Sequence, residues 1–194
     1  MGRLIYLIGA SGVGKDSLLN EARKVRPDWL VAHRYITRDS GTTERCVTLS
    51  EAEFAKRQAL RMFCLHWRAH GLCYGVGTEV EDWCRRGTHV LLNGSRRALP
   101  QAWERFGTTL LPVVVTASTA VLRERLEQRG RETPEQIADR LARHLEIEEE
   151  LAREHPELAR IDNGGTLQQS LEALAELIDS TDAGCHKSKC GKSL

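Results

Sequence analysis

GASGVGKDSL, residues 9–18, places Gly9, Gly14 and Lys15 at the spacing of a GxxxxGK loop. Such a loop holds phosphate because glycines let successive backbone N–H groups converge on it, while the lysine reaches its outer oxygens. The pattern is weak alone and gains weight from its flanks. RLIYLI, residues 3–8, is a short apolar run that reads as a buried parallel strand, and SLLNEARKV from Ser17 sets Leu18, Leu19 and Ala22 on one helical face. Strand, loop and helix form one unit. Within it the backbone of Gly12, Val13 and Gly14 is expected to wrap the β-phosphate of a triphosphate, with Gly9, Ala10 and Ser11 completing the nucleotide-binding loop and the positive end of the helix dipole helping. Lys15 would reach the β- and γ-phosphates. One position departs from the pattern: Asp16 stands where a Ser or Thr hydroxyl normally meets magnesium, with Ser17 beside it.

Outward from the loop, strand and helix signals alternate. LVAHRYITR, residues 30–38, reads as one strand, Asp39 to Arg45 has loop composition, and SEAEFAKRQAL opens on a capping-box pair, Ser50 with Glu53. CLHWRAHGLCYGVG, residues 64–77, mixes aromatics with three glycines, poor material for a central strand but suited to lining a small-molecule site. THVLLNGS at 88–95 and LLPVVVTAS at 110–118 are buried-strand runs. The long charged stretch from Thr119 is helical on both sides of a break at Gly130 to Pro134, with Arg125, Arg129, Arg131 and Arg140 around it. LARID gives a short strand, and TLQQSLEALAELI from Thr166 an amphipathic helix with Leu167, Leu171, Leu174 and Ile178 on one stripe. Alternation of this kind predicts an α/β fold with a central parallel sheet flanked by helices. The last residues, 181–194, lack periodicity and are expected to be a disordered tail, on which Cys185, His186 and Cys190 make a weak metal set.

Composition narrows the function. Across 194 residues, 28 basic and 27 acidic side chains leave a net charge of +1, so no global field recruits nucleic acid or an anionic membrane. No apolar run reaches the roughly 18 residues of a membrane span, and the N-terminus lacks a signal-peptide pattern. Six cysteines show no CxxC pair, which reads as a cytoplasmic protein with reduced thiols. Only six of the basic residues are lysines, three of them in the final eight positions, so the folded part speaks in arginine. That suits bidentate grip on phosphate, and a compositional bias of the gene gives the same result. His33, His66 and His70 have no metal-ligand spacing.

In GASGVGKDSL, YITR at 35–38, Glu44, YGVG at 74–77 and RLEQRGRETPEQIADRL at 125–141, the chain resembles the guanylate kinase superfamily over nearly all of residues 1–178. The resemblance implies a P-loop fold in one domain over 1–180: core at 1–32 and 88–122, an acceptor-binding insertion at 33–87, a mobile lid at 123–140, and a C-terminal core at 141–180. It implies ATP as donor and Mg2+ as cofactor. Tyr35, Thr37, Arg38, Tyr74 and Gly75 then face the acceptor, with Arg34 and Arg96 as further candidates that a solvated surface explains equally. Lys15 and the lid residues Arg129 and Arg140 take catalytic roles, Arg125 and Arg131 share the lid, and Asn163 lines an adenine pocket or simply makes a turn.

The departures from guanylate kinases point further. Gly41 stands where they carry an arginine, Leu65 or His66 where they read guanine with a glutamate, and Gly77 where a serine hydroxyl helps. A pocket without base-reading groups does not favour guanine. Asn93 and Ser95 are uncharged at a strand end that is acidic in that family, while Asp16 adds a carboxylate, so Asp16, aided by Ser17, is expected to serve the metal. The set GKDSLL, AHRYITRD, GLCYGVG and VLLNGSR closely resembles the ribose 1,5-bisphosphate phosphokinase branch. This implies a small-molecule acceptor without a base, ribose 1,5-bisphosphate, in phosphonate catabolism; a homodimer is compatible with it. The alternatives are a nucleoside-monophosphate kinase with relaxed base choice and a guanylate-kinase-like binding module without chemistry.

Overall fold

In the computed structural model of the chain, residues 1–38 and 46–187 are described, with side chains to residue 183. The sequence readings on Asp39 to Arg45, including Gly41 and Glu44, and on Cys185, His186 and Cys190 lie outside the described residues or side chains.

Strand β1 (Leu4–Ile8) is wholly buried because it lies mid-sheet with a hydrophobic layer on either side. Leu4, Tyr6 and Ile8 enter one layer, Ile5 and Leu7 the other. The alternation of a strand thus serves two cores at once. Its neighbours are β7 (His89–Asn93) and β8 (Leu110–Thr116); β2 (Trp29–Val31) and β9 (Ala159–Asp162) close the edges, and all pairings in this five-stranded sheet are parallel. Helix α1 (Lys15–Val25) covers the Ile5 side with Leu18, Leu19 and Ala22, joined by Leu171, Leu174 and Ile178 of α7 (Leu167–Lys187). Burying a leucine fully in such a layer is worth about 1.5–3 kcal/mol, which is why the stripes read from sequence settle on this face.

The second sheet has four strands in the order β4-β3-β6-β5. It is built from β3 (Arg34–Ile36), β4 (Cys46–Thr48), β5 (Phe63–Ala69) and β6 (Leu72–Gly77), with α2 (Glu51–Ala59) packed on it through Phe54, Phe63 and Leu49. Here two expectations fail. The single strand expected over 30–38 is two strands in different sheets: Ala32 still donates to Leu91 of β7, and from Arg34 the backbone pairs with β4 and β6 instead. And the glycine-bearing stretch at 72–77 does form an interior strand. Gly75 is required there because a Cβ would come within 2.8 Å of the Phe63 ring, so the glycine makes room for an aromatic rather than breaking the strand. The β5–β6 turn is tight, with His70 at φ 51° and Gly71 at φ 75°.

Helices α3 (Glu79–Arg85) and α4 (Leu99–Phe106), which the sequence periodicity did not mark, pack beside the Leu4 layer. The break near Gly130 is as read: α5 (Thr119–Arg129) ends on Gly130 in the left-handed conformation. Next, α6 (Pro134–Glu154) starts with a complete capping box between Thr133 and Gln136. The end of the chain is a correction. α7 continues to Lys187, into the first residues of the stretch 181–194 expected, for its lack of periodicity, to be a disordered tail. Its last turns are held by a polar clasp: the buried Arg3 guanidinium donates to Asp182 (2.5 Å) and to the carbonyls of Thr181 and Thr108 (both 3.1 Å). A stripe of leucines carries no trace of that contact.

Candidate active site

The loop at 9–14 runs from the end of β1 into α1, so the first N–H groups of the helix open into it. Two glycines are obligatory. Gly9 sits at φ 145°, and a Cβ there would lie 2.3 Å from the Val115 carbonyl; Gly14, at φ 95°, would meet the Asn163 amide at 2.4 Å. Between them the carbonyl of Val13 accepts from Asn163 Nδ2 (2.8 Å) and from Arg125 (3.3 Å). Asn163 Oδ1 in turn accepts from the Ser170 hydroxyl at 2.8 Å, and Arg125 also donates to the Asn163 carbonyl at 2.6 Å. Asn163 is fully buried. Its replacement by alanine leaves these groups unpaired, so a loss of about 1–3 kcal/mol is expected, or roughly 3–10 °C in melting temperature, together with weaker nucleotide binding. Thermal unfolding and nucleotide titration check this; a variant matching the wild type in both would show that the strut is dispensable.

Lys15 reaches back over the loop, its ammonium donating to the carbonyls of Gly9 (2.8 Å) and Ala10 (2.9 Å). Desolvation in this half-buried place pulls its pKa down to about 8, opposed by Asp16 and reinforced by Arg34 and Arg96. Beside it Asp16 is exposed, and its Oδ1 accepts a 2.8 Å hydrogen bond from Asn93 at the end of β7. Among the described residues no group of three or more His, Cys, Asp or Glu side chains could by itself hold a metal ion. A lone carboxylate next to a phosphate loop fits magnesium, which takes one or two protein ligands and otherwise phosphate and water.

The loop opens into a cavity of about 410 Å3. Lys15, Asp16 and Ser17 line it from the loop side, Asn93, Ser95 and Arg96 from the end of β7, and Arg129 from α5. The second sheet supplies Arg34, Trp67, His70 and Tyr74. Trp67 and Tyr74 are a registered cross-strand pair and stack with centroids 5.4 Å apart and planes 2° from parallel. Arg34 lies over the Tyr74 ring at 5.5 Å. Arg96 is ion-paired to Glu150 of α6. An adjoining cavity of about 570 Å3 carries Ala10, Ser11, Arg131, Glu132, Arg140 and Arg143, with His70 on its wall as well. Arg140 is ion-paired to Glu132 and donates to the Ser11 hydroxyl at 2.9 Å, tying α6 to the phosphate loop.

No protein-family model matches the chain. Among curated proteins it is 47% identical over 180 residues to the ribose 1,5-bisphosphate phosphokinase PhnN of Pectobacterium atrosepticum, covering 92% of this chain and 94% of that one. It is 46% identical over 181 residues to the protein of the same name from Yersinia pestis, covering 92% of each chain. The chain belongs to the ribose 1,5-bisphosphate phosphokinase family. Of the solved structures, a guanylate kinase from Anaplasma phagocytophilum superposes with a TM-score of 0.67 at 17% identity, over 92% of this chain and 85% of the other. That likeness is one of fold.

In this member of the ribose 1,5-bisphosphate phosphokinase family, the fold gathers many of the residues expected from sequence. Gly9, Ser11, Gly12, Gly14, Lys15, Asp16, Ser17, Tyr74, Arg96 and Arg129 share the first cavity, and Ala10 and Arg140 the second. Others are placed elsewhere. Asn163, expected at an adenine pocket or a turn, is fully buried, with both ends of its side-chain amide engaged in the strut behind the loop. Arg125 joins that strut through the Val13 and Asn163 carbonyls. Tyr35, one residue after Arg34, points to the other face of the second sheet, where it packs on Phe63 at 5.5 Å and under Arg57 at 5.2 Å. Thr37 spends its hydroxyl oxygen on the Cys73 N–H at 2.9 Å. Gly75 makes room for Phe63, Val13 is buried, and Arg38 is exposed just beyond β3. Trp67 and His70 lie in the stretch 64–77 expected to line a small-molecule site, although neither was singled out there as a site residue. Reading residues 63–77 as a hairpin about His70-Gly71 would have set Trp67 opposite Tyr74.

Proposed function

We propose that the protein transfers the γ-phosphoryl group of ATP to ribose 1,5-bisphosphate, forming 5-phospho-α-D-ribose 1-diphosphate and ADP, in cytoplasmic phosphonate breakdown. An oxygen of the acceptor's 1-phosphate forms the new P–O bond as the bond from the γ-phosphorus to the ADP oxygen breaks. That oxygen is already anionic near neutral pH, so no general base is required. The protein's part is alignment and neutralisation of crowded negative charge. The loop amides and Lys15 hold the donor, and Arg129 and Arg140 flank the transferring group. Tyr74 and Arg96 face the acceptor, with Arg38 at the edge of its sheet. Asp16, with Ser17, would hold magnesium, which supplies charge neutralisation at the phosphates; its hydrogen bond from Asn93 sets the carboxylate's direction.

One observation supports this reading over a nucleoside-monophosphate kinase. Among the described residues, the wall of the phosphate-loop cavity built by the second sheet carries arginine, tyrosine, tryptophan and histidine, and no carboxylate or amide to read a base edge. The position that would carry a guanine-reading glutamate falls on Leu65, fully buried, or His66, which lines a separate cavity with Gln101. A binding module without chemistry has no use for the loop lysine and its arginines. The test is ADP formation from MgATP with ribose 1,5-bisphosphate, with GMP, or with neither. Turnover with GMP alone would overturn the proposal, and none with either acceptor would favour the module.

A further inference from the structure

Ribose 1,5-bisphosphate is charged at both ends, and only one end reacts. The sugar phosphate that stays behind must be neutralised by the protein, at a place removed from the γ-phosphate, or its desolvation opposes binding. The cations that line the phosphate-loop cavity come from two bodies. Lys15, Arg96 and Arg129 stand on elements of the first sheet and its helices, beside the loop where the reacting phosphates meet. Among the described residues, Arg34 is the one arginine or lysine of this lining that stands on the second sheet.

Its setting is that of a built anion receptor. The guanidinium lies over Tyr74 at 5.5 Å, and Tyr74 is backed by the parallel Trp67 ring, itself 9% exposed. A planar cation resting on a two-ring slab has few ways to turn, so its fork of donors is fixed before a ligand arrives. Desolvation, the leading influence on Arg34, pulls its pKa below the ordinary arginine value, with Asp16 and Tyr74 opposing; a desolvated cation gains most from an added dianion.

We infer that Arg34 is the specificity-determining residue for the acceptor: it takes the 5-phosphate, the group that does not react, while the 1-phosphate lies toward Lys15 and Arg96. The enzyme then measures the distance between two phosphates across the cavity in place of reading a base. This assignment rests on the reaction proposed above.

The test is a substrate-truncation cycle. Dissociation constants of ribose 1,5-bisphosphate, ribose 5-phosphate and ribose 1-phosphate are measured by calorimetry, directly or by displacement, for the wild type, Arg34→Gln and Arg34→Lys. The glutamine variant should bind the first two about 100-fold more weakly, bind ribose 1-phosphate within about twofold of wild type, and keep its KM for MgATP. Unchanged ribose 1-phosphate binding doubles as the check that the variant is folded. The lysine variant should recover part of the loss, since it restores charge without the fork. An equal loss for all three ligands, or a loss confined to ribose 1-phosphate, overturns the assignment. Failure of the reaction itself has a different signature: wild type that binds the bisphosphate but forms no ADP with it.

Discussion

Lys15→Met is expected to leave a folded protein whose turnover has dropped by roughly 10³-fold. Methionine fills the same space, so the loop shape set by Gly9, Gly14 and the Asn163 strut should survive, and the loss is one of charge at the transferring phosphoryl group. The lysine is already bent over the loop mouth by the Gly9 and Ala10 carbonyls, which means little rearrangement separates it from a phosphate. Its pKa of about 8 adds a pH signature. The ammonium is the form that binds phosphate, so MgATP affinity should be full below pH 8 and decline above it, approaching a factor of ten per pH unit. The free fold behaves oppositely. Near and above pH 8 the unfolded chain holds more protons on this lysine than the native state does, so this group's contribution to stability rises with pH there. Lys15→Arg, charged throughout, should flatten the affinity profile. Nucleotide titration from pH 6.5 to 9.5 reads this out, and an identical decline in wild type and the arginine variant would rule Lys15 out as its source.

For Asp16→Ala the expected result is a fall in kcat of about 100-fold and a shift of the magnesium half-saturation point to higher concentration. Asp16→Ser should do better than alanine, because a hydroxyl in this place is the more common companion of a GxxxxGK loop. The structure sharpens the argument through Asn93, whose amide aims one carboxylate oxygen and occupies the strand end where acidic groups were missing. Turnover and magnesium titration decide: if both variants keep wild-type values, Asp16 has no part in holding the metal.

The phosphate loop was legible because its requirements are local. Gly9, Gly14 and Lys15 act within a few residues of one another, and the capping box of α6 and the stripe of Leu171, Leu174 and Ile178 are local in the same sense. The acceptor wall was legible only in part. Alternation along β3 decides that Arg34 faces the cavity and Tyr35 does not, yet a strand drawn straight through residues 30–38 hides where one sheet ends and the other begins. Gly75 reads as a strand breaker until the Phe63 ring is seen lying over it. Asn163 had two readings, pocket or turn, and neither included the carbonyl it holds, which lies 150 positions away in the chain. Contacts of that range leave no periodic mark, and the clasp of Arg3 on Asp182 is another.

The strut behind Val13 changes how nucleotide affinity can evolve. A glycine-rich loop left to itself loses much backbone freedom when it closes on a ligand. Here Asn163 and Arg125 freeze it when the chain folds, so each catalytic cycle begins from a loop already in shape. Affinity for the donor can then drift through changes at Ser170 or along α5, at residues that never touch a phosphate, while the loop sequence itself stays constant.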